Sequence, residues 1–137
     1  MTKRPDSGQP GQTGFALAHG KAMYEYLSRH PDSLKRFADM MLCITREPGL
    51  GPEHLVNGYP WAELGEATMV DLGGSHGVMG CSLARKYPSL KLIVQDLYEP
   101  VNREAEARSP PDVAGRVQYM MHDFLKEQPQ TVTGVDV

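Results

Sequence analysis

The sequence predicts an α/β chain in which helices come first and an incomplete parallel sheet follows. Three observations carry this. Apolar positions in the N-terminal half recur every three or four residues, the helical period. From Thr68 onward, short apolar runs alternate with helical stretches, and β-α-β-α-β order gives a parallel sheet with right-handed crossovers. Finally, the first strand-to-helix turn is dense in glycine, from Gly73 to Gly77.

Composition bounds the function. At 137 residues and 15.1 kDa the chain is one domain or part of a larger one. With 40% hydrophobic and 23% charged residues it is globular in composition. A net charge of −3 and a pI near 5.9 offer no footprint for nucleic acid. No apolar run approaches the ~20 residues that span a bilayer, and Met1–Gln12 lacks the apolar core of a signal peptide. No membrane partner is therefore expected. Cys43 and Cys81 supply neither a disulfide framework nor a metal-ligand cluster. A cytoplasmic location is the expectation.

The elements follow in order. Residues 1–14, rich in Pro, Gly, Gln, Ser and Thr, read as a disordered lead-in. Phe15, Ala18, Ala22, Met23, Tyr26 and Leu27 describe one helical face, with Gly20 a weak point and Pro31 as terminator. Asp32 or Ser33 is placed to cap a second helix, with the stripe Leu34, Phe37, Ala38, Met41, Leu42, ending before Pro48-Gly49. Gly51 to Gly58 reads as a short helical turn or loop, leading to Tyr59–Leu64. Thr68–Leu72 is the first strand, Val78–Tyr87 a helix stopped by Pro88, and Leu90–Gln95 the second strand. Pro100–Arg108 is helical, with Pro100 suited to the first turn. Ser109-Pro110-Pro111-Asp112 breaks the chain before a third strand, Arg116–Met121. Val135-Asp136-Val137 reads as the start of a fourth strand.

The sequence also outlines a ligand site. Asp71-Leu72-Gly73-Gly74-Ser75-His76-Gly77 lies between a strand and a helix, where ligands of doubly wound folds sit. Bare backbone and unpaired helix N–H groups meet there. Asp96, at the end of the second strand, is placed to accept bonds from the hydroxyls of a ribose. Asp123-Phe124, after the third strand, is placed to bond an adenine amino group and cover its face. The dinucleotide pattern G-x-G-x-x-G fails: from Gly73 it meets Ser75 and Val78, and from Gly74 it meets His76 and Met79. The P-loop pattern is absent as well. What remains is an acid followed by glycines two, three and six positions on, which suits a nucleoside ligand with a cationic end and no phosphate.

These residues, with Tyr87-Pro88, Val94-Gln95-Asp96-Leu97 and His122-Asp123-Phe124, resemble the S-adenosylmethionine-dependent O-methyltransferases of the plant caffeic-acid and fungal secondary-metabolite type. Phe15–Gly20, Phe37–Met41 and Tyr59–Leu64 extend the resemblance upstream, so it runs from Phe15 to the last residue. The resemblance implies a Rossmann-like (class I methyltransferase) sheet preceded by a helical connector, residues 15–64, with residues 65–137 as the N-terminal half of the cofactor-binding domain. It implies S-adenosyl-L-methionine as cofactor and a small phenolic or polyketide-type hydroxyl as methyl acceptor. Asp71, Gly73, Gly74 and Gly77 would face the methionine part of the cofactor. Asp96 would take the ribose, Leu97, Asp123 and Phe124 the adenine, and Met41 would lie near the acceptor. Ser75 stands where many members carry Gly. The family's general-base histidine lies beyond Val137, so no catalytic residue is assigned. A homodimer or self-association is the expected assembly. The alternative function is a non-catalytic remnant or binding module that keeps part of the cofactor site.

Overall fold

The computed structural model describes residues 8–129 and residue 132. The expected fourth strand at Val135–Val137 and the first seven residues of the lead-in lie outside the described residues. The chain forms two compact units, Met1–Phe37 and Ala38–Val137.

In the first unit, order begins earlier than Phe15. A 3-10 turn spans Pro10–Gln12, and α1 spans Gly14–His19. The hydroxyl of Thr13 accepts the Ala16 N–H at 3.1 Å, capping α1. The single helix expected over Phe15–Leu27 is two. Gly20 adopts φ 70° and donates its N–H to the Ala16 carbonyl, a left-handed residue that ends α1. The chain resumes as α2, Met23–Ser28. Pro31 does not close a segment; it opens α3, Pro31–Ile44, where a first-turn residue needs no N–H. The carbonyl of His30 accepts the N–H of both Ser33 and Leu34. His30 therefore stands in the cap position expected of Asp32 or Ser33.

The second unit holds the rest of α3, then α4, Pro52–Gly58, and a 3-10 turn at Trp61–Leu64. Next come β1, Thr68–Leu72; α5, Val78–Lys86; β2, Lys91–Asp96; α6, Glu99–Ala107; and β3, Val117–Met121. Pro100 occupies the first turn of α6, as the sequence predicts. The break after α6 contains one 3-10 turn, Pro111–Val113, whose Val113 is buried.

The strands form a parallel sheet in the order β1-β2-β3, with Val70 beside Ile93 and Val94 beside Tyr119. Flanked on both sides, β2 is buried from Leu92 to Gln95. Leu92 and Val94 join Leu83 and Ala84 of α5, with Trp61, Met69 and Val117, in one apolar core. Burying a Leu or Val side chain stabilises by ~1.5–3 kcal/mol. The strand period of two turns Ile93 and Gln95 to the opposite face. Trp61 donates its Nε1–H to the Leu55 carbonyl at 2.8 Å, and the Tyr87 hydroxyl donates to the Val56 carbonyl at 3.0 Å. Both bonds tie α4 to the core. Among the described residues no helix is long and apolar enough to cross a membrane.

Because the strands are parallel, their C-terminal ends share one edge. Leu72 lies beside Gln95, and Asp96 beside Met121.

Candidate functional site

The loop after β1 is fixed from beneath. The N–H groups of Gly73 and Gly74 both donate to the Gln95 carbonyl, at 2.8 and 3.1 Å. At Gly74 there is no room for a side chain. A Cβ there would stand 2.6 Å from Asp71 Oδ2 and 2.7 Å from Val94 Cγ1. At Gly77 the obstacle is double: φ is 69°, and a Cβ would stand 2.8 Å from the Tyr119 hydroxyl. Between them Ser75 adopts φ 49°, a left-handed conformation that costs an L-residue roughly 1–2 kcal/mol. Its N–H donates to Asp96 Oδ2 at 3.1 Å, which holds it there.

Asp96 is thereby oriented at both oxygens. Oδ2 accepts from Ser75, and Oδ1 accepts the Leu97 N–H at 2.7 Å. A carboxylate has about four acceptor positions, so capacity remains for incoming hydroxyls. Asp71 is different. Its Oδ2 is buried without a hydrogen-bond partner. Burial pushes its carboxyl above the usual range and the charge of Asp96 adds to this, while a bond from the Gly80 N–H in the first turn of α5 pulls the other way. A buried, unpaired carboxylate oxygen is costly, and a cation placed against it relieves that cost.

A half-open cavity of about 190 Å³ lies over this loop. Asp71, Gly73 and Gly74 form part of its wall, joined by Ser75 and His76. Met41, Leu42 and Thr45 line it from the side of α3, and Val78 and Met79 from the start of α5. His76 Nδ1 lies 3.3 Å from Ser75 Oγ.

The structure thus places four of the sequence-derived candidates, Met41, Asp71, Gly73 and Gly74, in one cavity wall. The other five lie outside that wall. Gly77 precedes α5 as its cap residue. Asp96 is bonded to the loop through Ser75, and Leu97 follows it, exposed. Asp123 Oδ1 accepts the Leu125 N–H at 3.0 Å, and its carbonyl accepts the Lys126 N–H at 2.8 Å, making a tight turn. Phe124 is 56% exposed, and its Cε1 is 3.9 Å from where a Gly73 Cβ would stand. Sequence reasoning did not single out Leu42, Thr45, Val78 or Met79. Thr45, four residues after Met41, lies at the helical spacing that puts both on one side of the chain, and that was the signal available for it.

A model of the O-methyltransferase domain matches residues 5–132. The chain belongs to that family. Similar curated proteins include the grayanic acid biosynthesis cluster O-methyltransferase of Cladonia grayi, 44% identical over 127 residues, covering 90% of this chain and 28% of the relative. The O-methyltransferase VdtC of Byssochlamys spectabilis is 40% identical over 130 residues, covering 90% of this chain and 30% of its own length. This O-methyltransferase-family chain therefore spans less than a third of either. Among solved structures, the O-methyltransferase NcsB1 from neocarzinostatin biosynthesis, in complex with S-adenosyl-L-homocysteine and 1,4-dihydroxy-2-naphthoic acid, superposes with a TM-score of 0.72 at 26% identity. That match covers 90% of this chain and 36% of the other. The chain has the Rossmann-like, class I methyltransferase type of fold, with a three-stranded parallel sheet among the described residues.

Proposed function

We propose that this chain is the cofactor-binding portion of an S-adenosylmethionine-dependent O-methyltransferase that acts on a small phenolic or polyketide-type hydroxyl in secondary metabolism. The observation that carries the reading is the pair of carboxylates at neighbouring strand ends. Asp96 is oriented by two backbone N–H groups, and Asp71 has a buried oxygen without a partner.

The residues fit the cofactor. S-adenosylmethionine brings a ribose diol for Asp96, and an ammonium and a sulfonium for the region of Asp71. It carries no phosphate, which two carboxylates would repel. When bound, it supplies a methyl group made electrophilic by the sulfonium. The chain's residues orient and enclose. Gly73 and Gly74, pinned to the Gln95 carbonyl, let the ligand approach bare backbone. Leu97 and Phe124, both exposed, are apolar surfaces for an adenine ring. Met41 and Leu42 give the cavity an apolar side, where an acceptor hydroxyl would approach. In this reading residues 15–64 are a helical connector and 65–137 the first half of the cofactor domain. A cytoplasmic location and a homodimeric assembly belong to the reading too.

Calorimetric titration tests it. S-adenosylmethionine gives saturable binding to the chain, and ATP and NAD at equal concentration give none. No heat with S-adenosylmethionine, or equal binding of ATP, overturns the reading. Incubation with labelled cofactor and a panel of phenols then separates turnover by this chain from cofactor holding alone.

A further inference from the structure

Gln95 is 1% exposed at the centre of the sheet, following three apolar residues of β2. An amide there is costly unless every polar atom is bonded. Its side chain forms a reciprocal pair with Gln128. Gln95 Nε2 donates to Gln128 Oε1 at 2.9 Å, and Gln128 Nε2 donates to Gln95 Oε1 at 3.0 Å. Met120 Sδ lies 3.5 Å from the same Nε2. The main chain of Gln95 faces the other wall of the site, since its carbonyl accepts both Gly73 and Gly74. One residue thus touches the loop after β1 with its backbone and the segment after β3 with its amide.

That segment needs an anchor. Its near end is held where the His122 N–H donates to the Asp96 carbonyl at 3.0 Å. Beyond the Asp123 turn the chain leaves the sheet, and Leu125 is 82% exposed. Gln128 brings the far end back.

We propose that Gln95 is a positioning residue. Its carbonyl sets the glycine loop, and its carboxamide, through Gln128, holds the segment carrying Asp123 and Phe124 against the adenosyl end of the ligand site. The ligand part rests on the cofactor reading above, whereas the coupling of the two walls does not.

The test uses the 137-residue chain with Gln95→Leu, Gln128→Ala and the double variant. Gln128 is itself exposed, so Gln128→Ala keeps the fold and lowers the unfolding midpoint only by the cost of leaving the buried Gln95 amide without its partner. In the ligand-free chain, Gln128→Ala speeds amide exchange at Leu125 and Lys126, and the amides of β1 and β2 stay protected. Each single variant weakens S-adenosylhomocysteine binding about five- to tenfold, the scale of lost hydrogen bonds. The double variant is no worse than the weaker single one, because both remove the same pair. Exchange at Leu125 and Lys126 equal to the parent chain in Gln128→Ala overturns the coupling, ligand or no ligand. Additive losses in the double variant overturn it as well. If the parent chain binds no S-adenosylhomocysteine, the cofactor reading fails and the exchange result alone decides the coupling.

Discussion

The loop after β1 and the segment after β3 reach the same edge of the sheet but are held by different means. The loop is held by exclusion. Gly74 has Asp71 and Val94 against it, Gly77 has Tyr119, and both Gly73 and Gly74 bond a buried carbonyl. The segment is held by attachment: one backbone bond at His122, a turn closed by Asp123, and an amide pair at Gln128. Phe124 and Leu125 between these points are exposed. In the proposed site, the wall after β1 is sterically filled and the wall after β3 is fastened at a few points.

The largest expected effect tests the filled wall. Gly74→Ala and Gly77→Ala each force a methyl group into occupied space, and each destabilises by about 1–3 kcal/mol. Gly77→Ala adds the left-handed backbone cost on top. Denaturant midpoints check this, and unchanged midpoints would show the loop to be compliant.

Next is Asp71→Asn, where stability and binding part company. The folded-state pKa of Asp71 is raised, so the protonated form favours the fold. That contribution is complete below its ordinary value of 3.8 and is lost as pH rises through the folded value. The Asn variant does not titrate. Its stability therefore gains on the parent chain as pH rises across the acid range, while affinity for the cationic ligand falls at least tenfold, the order of a charge-assisted contact. Denaturation at a series of pH values and a titration at neutral pH check both signs.

Phe124→Ala probes the fastened wall. An exposed side chain contributes within about 0.5 kcal/mol to stability, so the midpoint holds. Adenosyl binding weakens by about 0.5–1.5 kcal/mol, the scale of an aromatic contact. The smallest effect is Ser75→Gly, where relief of the left-handed cost is largely offset by the backbone entropy glycine loses on folding, leaving a gain of about a few tenths of a kcal/mol, with the backbone bond to Asp96 kept.

The same comparison explains what was legible. The strands, α5, α6 and the glycine loop follow from short-range signals: period, proline, glycine. The glycine loop was therefore readable from Gly73 to Gly77, with Asp71 on the strand that leads into it. The Gln95–Gln128 pair was not, because two glutamines distant in sequence leave no local pattern and only the register of β2 brings the first of them to face the second. The upstream helices failed locally for a related reason. The helical period runs through Gly20, but a left-handed φ there ends α1. Pro31 was read as a stop, although the missing N–H that stops one helix is harmless at the start of another. The cavity wall from α3 depends on tertiary placement, which only Met41 hinted at.

The most direct measurement is an amide-resolved NMR titration of the chain with S-adenosylhomocysteine. The account expects saturable shifts at Gly73, Gly74 and Ser75, at Leu97, and at Phe124 and Leu125, all with one dissociation constant. Shifts confined to a single strand end would contradict it.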